Sequence, residues 1–171
     1  MSEPGRETEP AAARFEDAPF ADRPLRLRAE SADDLAVLSA RCQDAVGRVA
    51  DVKWLPTKRR LVILVNRFRW EDAEAARAAG RSFERVRAAL SVETARRVRA
   101  RGVDRGDTEA VLSILALAYA PDAADPDRGG TLTLACAGGV EFEAAVECLD
   151  VSLADLTRPW SAQAGAPRHE D

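Results

Sequence analysis

Five arginines stand at alternating positions in one stretch of the chain: Arg85 and Arg87, then Arg97, Arg99 and Arg101. If that stretch is extended, all five share one face, because successive side chains of a strand point to opposite sides. A row of guanidinium groups neutralises phosphates, which makes this face a candidate polyanion or nucleic-acid surface. A second cluster, Asn66-Arg67-Phe68-Arg69-Trp70-Glu71, interleaves two cations with two aromatics. Aromatic rings beside arginines stack single-stranded bases when they are exposed. Phe68 and Trp70, however, share a parity with Val62 and Leu64, which assigns them to the core and leaves Arg67 and Arg69 facing solvent or a partner. The third candidate is Trp54, in Trp54-Leu55-Pro56 at a hairpin tip. A tip tryptophan either anchors a partner or folds back over a helix, and packing is the favoured reading.

The arginines have a competing use. Residues 58–105 carry a net charge of about +8 and residues 106–156 about −9, within a whole-chain charge of −4. Glu141, Glu143 and Glu147 line the acidic stretch. Opposite charges on facing strands contribute about 0.2–1 kcal/mol per pair and help to set register. Structural pairing of the two ribbons is therefore the expected role, with polyanion binding as the alternative.

Groups suited to catalysis or metal binding are sparse. The one histidine is His169, near the C-terminal end of the sequence, so no core imidazole is expected as a general base or metal ligand. Cys42, Cys136 and Cys148 are odd in number and widely spaced, and all three are expected to be buried free thiols. Asp33 and Asp34 are adjacent carboxylates, but a capping role explains them. Gly138-Gly139 lacks the strand–helix setting of a dinucleotide loop, and no phosphate-loop pattern occurs. The sequence calls for no cofactor and no metal. An enzyme ranks third, behind the two binding classes.

A chain of 171 residues is long enough for one domain with a substantial core. No apolar run reaches the ~18–20 residues that span a membrane, and the first residues carry no apolar signal segment, so a cytoplasmic location is expected. Residues 1–23 read as a disordered leader, 24–160 as a single folded domain and 161–171 as a disordered tail.

Within that unit, residues 25–29 alternate as a strand. Ser31 opens a helix, with Asp34 as its capping partner and Leu35, Leu38 and Cys42 as its apolar face; Gly47 marks the exit. Residues 46–54 and 60–70 are two strands joined through Pro56. Residues 71–80 form a loop or short helix. Residues 82–102 admit two readings: a helix with Phe83, Val86, Leu90 and Val98 as its stripe, or a strand with Val86, Ala88, Leu90, Val92 and Thr94 on one face. Residues 110–119 are a buried strand. Residues 131–137 and 140–150 form a hairpin at Gly138-Gly139, where paired glycines tolerate positive φ. Val140, Phe142, Ala144, Val146 and Cys148 face inward there. Ser152 starts a last short helix, from which Leu153, Leu156 and Trp160 cap the core.

The expected fold class is α+β: a mainly antiparallel sheet of about seven strands curling toward a small barrel, one helix after the first strand and a short C-terminal helix.

Residues 25–160 resemble an uncharacterised bacterial family of unknown function, DUF2948. The likeness rests on Leu27-Arg-Ala-Glu-Ser-Ala-Asp-Asp-Leu35, Gln43-Asp44-Ala45, Trp54-Leu55-Pro56, Asn66-Arg67-Phe68-Arg69-Trp70-Glu71, Ala137-Gly138-Gly139 and Val146-Glu147-Cys148. The resemblance implies an α+β domain and tilts residues 82–102 toward an extended conformation. It brings no activity, cofactor or catalytic residue. The expected function is a non-catalytic binding or adaptor domain. It would act through exposed sheet edges or the Arg67/Arg69 surface, with a protein partner or a second copy as a homodimer.

Overall fold

The computed structural model describes residues 23–162. Residues 1–22 of the expected leader and 163–171 of the expected tail lie outside the described residues. In chain order the elements are β1 (Arg26–Ala29), α1 (Ala32–Cys42), β2 (Val46–Arg48), β3 (Val52–Leu55), β4 (Arg60–Phe68), α2 (Ala73–Ala78), β5 (Glu84–Val92) and β6 (Ala95–Arg101). They continue with β7 (Val111–Pro121), β8 (Gly130–Cys136), β9 (Glu141–Val146), β10 (Val151–Asp155) and β11 (Trp160–Ser161).

Helix α1 begins where a side chain can satisfy an orphan donor. Ser31 Oγ accepts the Asp34 N–H at 3.2 Å, and Asp33 and Asp34 sit at the positive end of the helix dipole. Leu35, Leu38 and Cys42 are buried, as their spacing demands. The exit is not at Gly47: the helix stops at Cys42, and Asp44 takes the left-handed turn with φ 61°. Gly47 lies in β2, where a Cβ would fall 2.8 Å from the Leu64 carbonyl oxygen. Its value is close approach of two strands, not helix termination.

Residues 82–102 are extended. Val86, Ala88, Leu90 and Val92 are buried on one face of β5, as the strand reading requires. This strand lies between β4 and β10, so ladder bonds on both edges outweigh the local helix preference of an Ala/Arg/Glu-rich sequence. The stretch is two strands, however. At Thr94, with φ 57°, the chain leaves the β4–β5–β10 ladder, and β6 pairs instead with β9.

The sheet is antiparallel with eleven strands, in the order β1-β10-β5-β4-β2-β7-β8-β9-β6; β3 adds to β4 and β11 to β5. The end strands β1 and β6 do not pair, so the sheet is not closed into a barrel. One core nevertheless collects Ile63 and Leu90 from one half and Leu134 and Phe142 from the other. Burying side chains of this size contributes about 1.5–3 kcal/mol each.

Three expectations are corrected here. The short C-terminal helix is strand β10, held between β1 and β5; Leu153 is buried in it, while Leu156 and Trp160 are exposed. The strand expected to be buried over 110–119 is buried on one face only: Leu112 and Ile114 point inward, Val111 and Leu115 are exposed, and a bulge between Ile114 and Ala116 shifts the parity so that Leu117 is buried. The strand expected over 46–54 is two short strands separated by a 3-10 turn at Val49–Asp51.

Candidate functional site

The five alternating arginines do not share one surface. Arg85 and Arg87 are on β5, and Arg97, Arg99 and Arg101 are on edge strand β6. Arg85 stacks its guanidinium 4.0 Å from the centroid of the Phe68 ring. Arg87 donates to Asp51 Oδ1 at 3.2 Å and to Asn66 Oδ1 at 3.3 Å. On β6, Arg99 lies opposite Glu143 and Arg101 opposite Glu141, and the Arg101 Nη2 is 3.6 Å from Glu143. Glu147 pairs with Arg59 and Arg96. The basic and acidic ribbons are therefore neighbours along β6 and β9. Arg97 and Arg99 remain exposed on the outer face.

Arg67 and Arg69 do not face solvent. Arg67 is 0 % exposed and Arg69 5 %. The inward face of β4 is the odd one, carrying Leu61, Ile63, Val65 and Arg67; Val62 and Leu64 are only half-buried, although Phe68 at the strand end is buried. Inside the core all five Arg67 donors find acceptors. Nε and Nη2 bind Asp155, Nη1 and Nη2 bind Glu71, and Nη1 binds the Phe68 carbonyl, at 2.7–3.0 Å. Burial opposes ionisation of Glu71, but the hydrogen bonds and charge of Arg67 outweigh it and hold that carboxyl below its ordinary value. Arg69 is ion-paired with Glu84 and lies 3.9 Å from Asp72, which also receives Arg81 at 3.3 Å. These arginines fasten the fold from within.

Cys42 and Cys136 are buried, and burial pushes their thiols up to about 12 and about 11. Cys148 is exposed, contrary to expectation. Strand β9 ends at Val146, so strand parity no longer governs position 148. Among the described residues no group of three or more His, Cys, Asp and Glu is arranged to hold a metal ion.

Trp54 marks a different feature. Its β3 strand ladders only with β4, and β6 ladders only with β9, so each has one edge without a strand partner. The Ala95 N–H reaches the Arg59 carbonyl at 2.9 Å, and the inward side chains of the two strands line a cavity of about 260 Å³. Val52 and Trp54 come from β3, Val98 and Ala100 from β6, with Val49, Val103 and Arg105 from the adjoining segments. Leu61 and Phe142 are the buried floor; Trp54, Val98 and Ala100 are part-exposed walls. Arg105 is exposed and is the one charged residue in the lining. Trp54 is thus packed, but its neighbours in the lining come from β4, β6 and β9, not from α1. The Val98-x-Ala100 alternation inside the arginine run was the available signal for this wall. Nothing local marked Arg105 or paired Phe142 with Trp54, because they meet only through the sheet order.

Among the described residues no helix is long and apolar enough to cross a membrane. Residues 25–169 match the family model DUF2948, described as a protein of unknown function. No curated protein and no solved structure matches the chain.

Proposed function

The chain belongs to the DUF2948 family, and from that premise we propose that it is a non-catalytic binding domain whose ligand enters the cavity between β3 and β6. One observation carries this reading: an apolar hollow of about 260 Å³, lined by Trp54 and Phe142, opens where the sheet fails to close. Binding sites are commonly apolar recesses with few polar groups, set at such breaks in an architecture. Titration with 1-octanol and with octanoate, followed by tryptophan emission, tests it. A saturable change that disappears in Trp54→Phe is expected. No saturable change with either compound, or an unchanged response in Trp54→Phe, overturns the reading.

A second reading is a polyanion surface on β6, favoured by the exposure of Arg97 and Arg99 without an ion pair among the described residues. Glu141 and Glu143 on the adjacent strand work against it, since they attenuate the local positive field. Retention on heparin at low salt, lost on charge reversal at Arg97 and Arg99, supports this reading; no retention overturns it.

A further inference from the structure

We infer that the cavity takes a small amphipathic carboxylate: an apolar body of about eight carbons, with its anionic end held by Arg105. This rests on the cavity reading above and adds the ligand's chemistry.

Size sets the first limit. An apolar cavity of about 150 Å³ admits benzene, so about 260 Å³ admits roughly ten non-hydrogen atoms. That limits the inserted part of a ligand to about the size of an eight-carbon acid. The walls set the second. Val52, Trp54, Val98 and Phe142 offer an incoming group no hydrogen-bonding partner apart from the indole N–H of Trp54, so the inserted body must be apolar.

Arg105 sets the third. Most arginines of the basic stretch already have acidic partners: Arg67 has Asp155 and Glu71, Arg81 has Asp72, Arg87 has Asp51 and Arg101 has Glu143. Arg105 has no ion pair or hydrogen bond among the described residues, although it sits beside Asp104 and Asp107. Asp104 instead accepts the Gly106 N–H at 2.8 Å, and Glu109 in the same loop is bound to Arg48 at 2.8 Å. A planar guanidinium at the rim of an apolar recess matches a carboxylate in two-pronged geometry. A cationic ligand of the same size is repelled there, and a neutral one gains no charge pairing.

Isothermal titration with octanoate, 1-octanol and octylamine tests the assignment. Octanoate is expected to bind about tenfold more tightly than 1-octanol, and octylamine most weakly. Arg105→Gln, an exposed loop substitution, should bring octanoate to the 1-octanol level and leave 1-octanol unchanged. Added salt should weaken octanoate alone. Equal binding of octanoate and 1-octanol, or an unaltered octanoate affinity in Arg105→Gln, overturns the carboxylate assignment while leaving the cavity reading intact. Absence of saturable binding by all three compounds removes both. Octanoate binding that survives in Val103→Trp, which fills the cavity from its loop side, also overturns the assignment.

Discussion

Arg67 on β4 grips Asp155 on β10 through two hydrogen bonds of 2.9 Å, across the intervening strand β5. The same guanidinium holds Glu71, just beyond the end of β4, and Asp155 also accepts the Leu25 N–H at 2.9 Å. One buried cation thus ties the central sheet to the start of β1 and to the turn that enters α2.

Removing that cation leaves carboxylates buried without a counter-charge. Arg67→Met should therefore lower unfolding stability by about 3–5 kcal/mol, the range for breaking a buried pair from one side. Asp155→Asn should cost less, because Glu71 still neutralises the guanidinium and an amide oxygen still accepts. Urea denaturation measures both, and the double variant should fall well short of the sum of the singles. Additive losses would show that Arg67 and Asp155 act independently.

Glu71 gives the pair a pH signature. Its carboxyl is held below the ordinary value of 4.5 in the folded state. A depressed folded value means the stabilising contribution is complete above the unfolded value and is lost as pH falls through the folded one. Wild type should therefore exceed Glu71→Gln in stability by a constant margin near neutrality. That margin should shrink once pH drops below about 4.5, as checked by denaturant midpoints at about pH 7 and about pH 3. A margin that grows on acidification would contradict the assigned direction.

The three thiols should separate cleanly. Burial raises Cys42 and Cys136 to about 12 and about 11, so neither supplies thiolate at neutral pH. Cys148 is exposed beside Thr94, whose hydroxyl accepts the Cys148 N–H at 3.3 Å. A disulfide-exchange reagent should modify one thiol per folded chain and three in denaturant. Cys148→Ser should abolish the fast reaction.

The sequence carried the strands wherever local pattern and long-range pairing agreed. Val86, Ala88, Leu90 and Val92 alternate and are buried alternately. Ser31 caps α1, and Gly138 and Gly139 both adopt φ 75° at their turn. Pattern failed where a buried ion pair intruded. Val151, Leu153 and Asp155 all point inward on β10, but an aspartate at the third position hides the alternation unless Arg67 is known to meet it. Arg67 itself reads as a surface residue for the same reason. The parity of β4 is thereby inverted for Val62, Leu64 and Arg67, whereas Phe68, at the strand end, is buried as its core assignment requires. The cavity was illegible for a different cause: Trp54, Val98, Arg105 and Phe142 are joined only by the topology of an unclosed sheet.

That open edge also gives the exposed arginines of β6 a use that requires no ligand. An edge strand presents unpaired N–H and C=O groups and invites a second copy to continue the ladder. Arg97, Arg99 and Arg101 alternate along β6, while Glu141 and Glu143 sit one strand inward. An antiparallel β6–β6 contact between two copies would bring like charges face to face with no acidic side chain on the joining strands, which disfavours it. Replacing Arg97 and Arg99 together by Val should preserve the fold, because both are exposed. It should also produce concentration-dependent association in sedimentation velocity. Lys substitutions at the same positions should keep the wild-type profile, since the like-charge repulsion is retained. A valine variant that sediments like wild type at every concentration would show that these charges do not guard the edge.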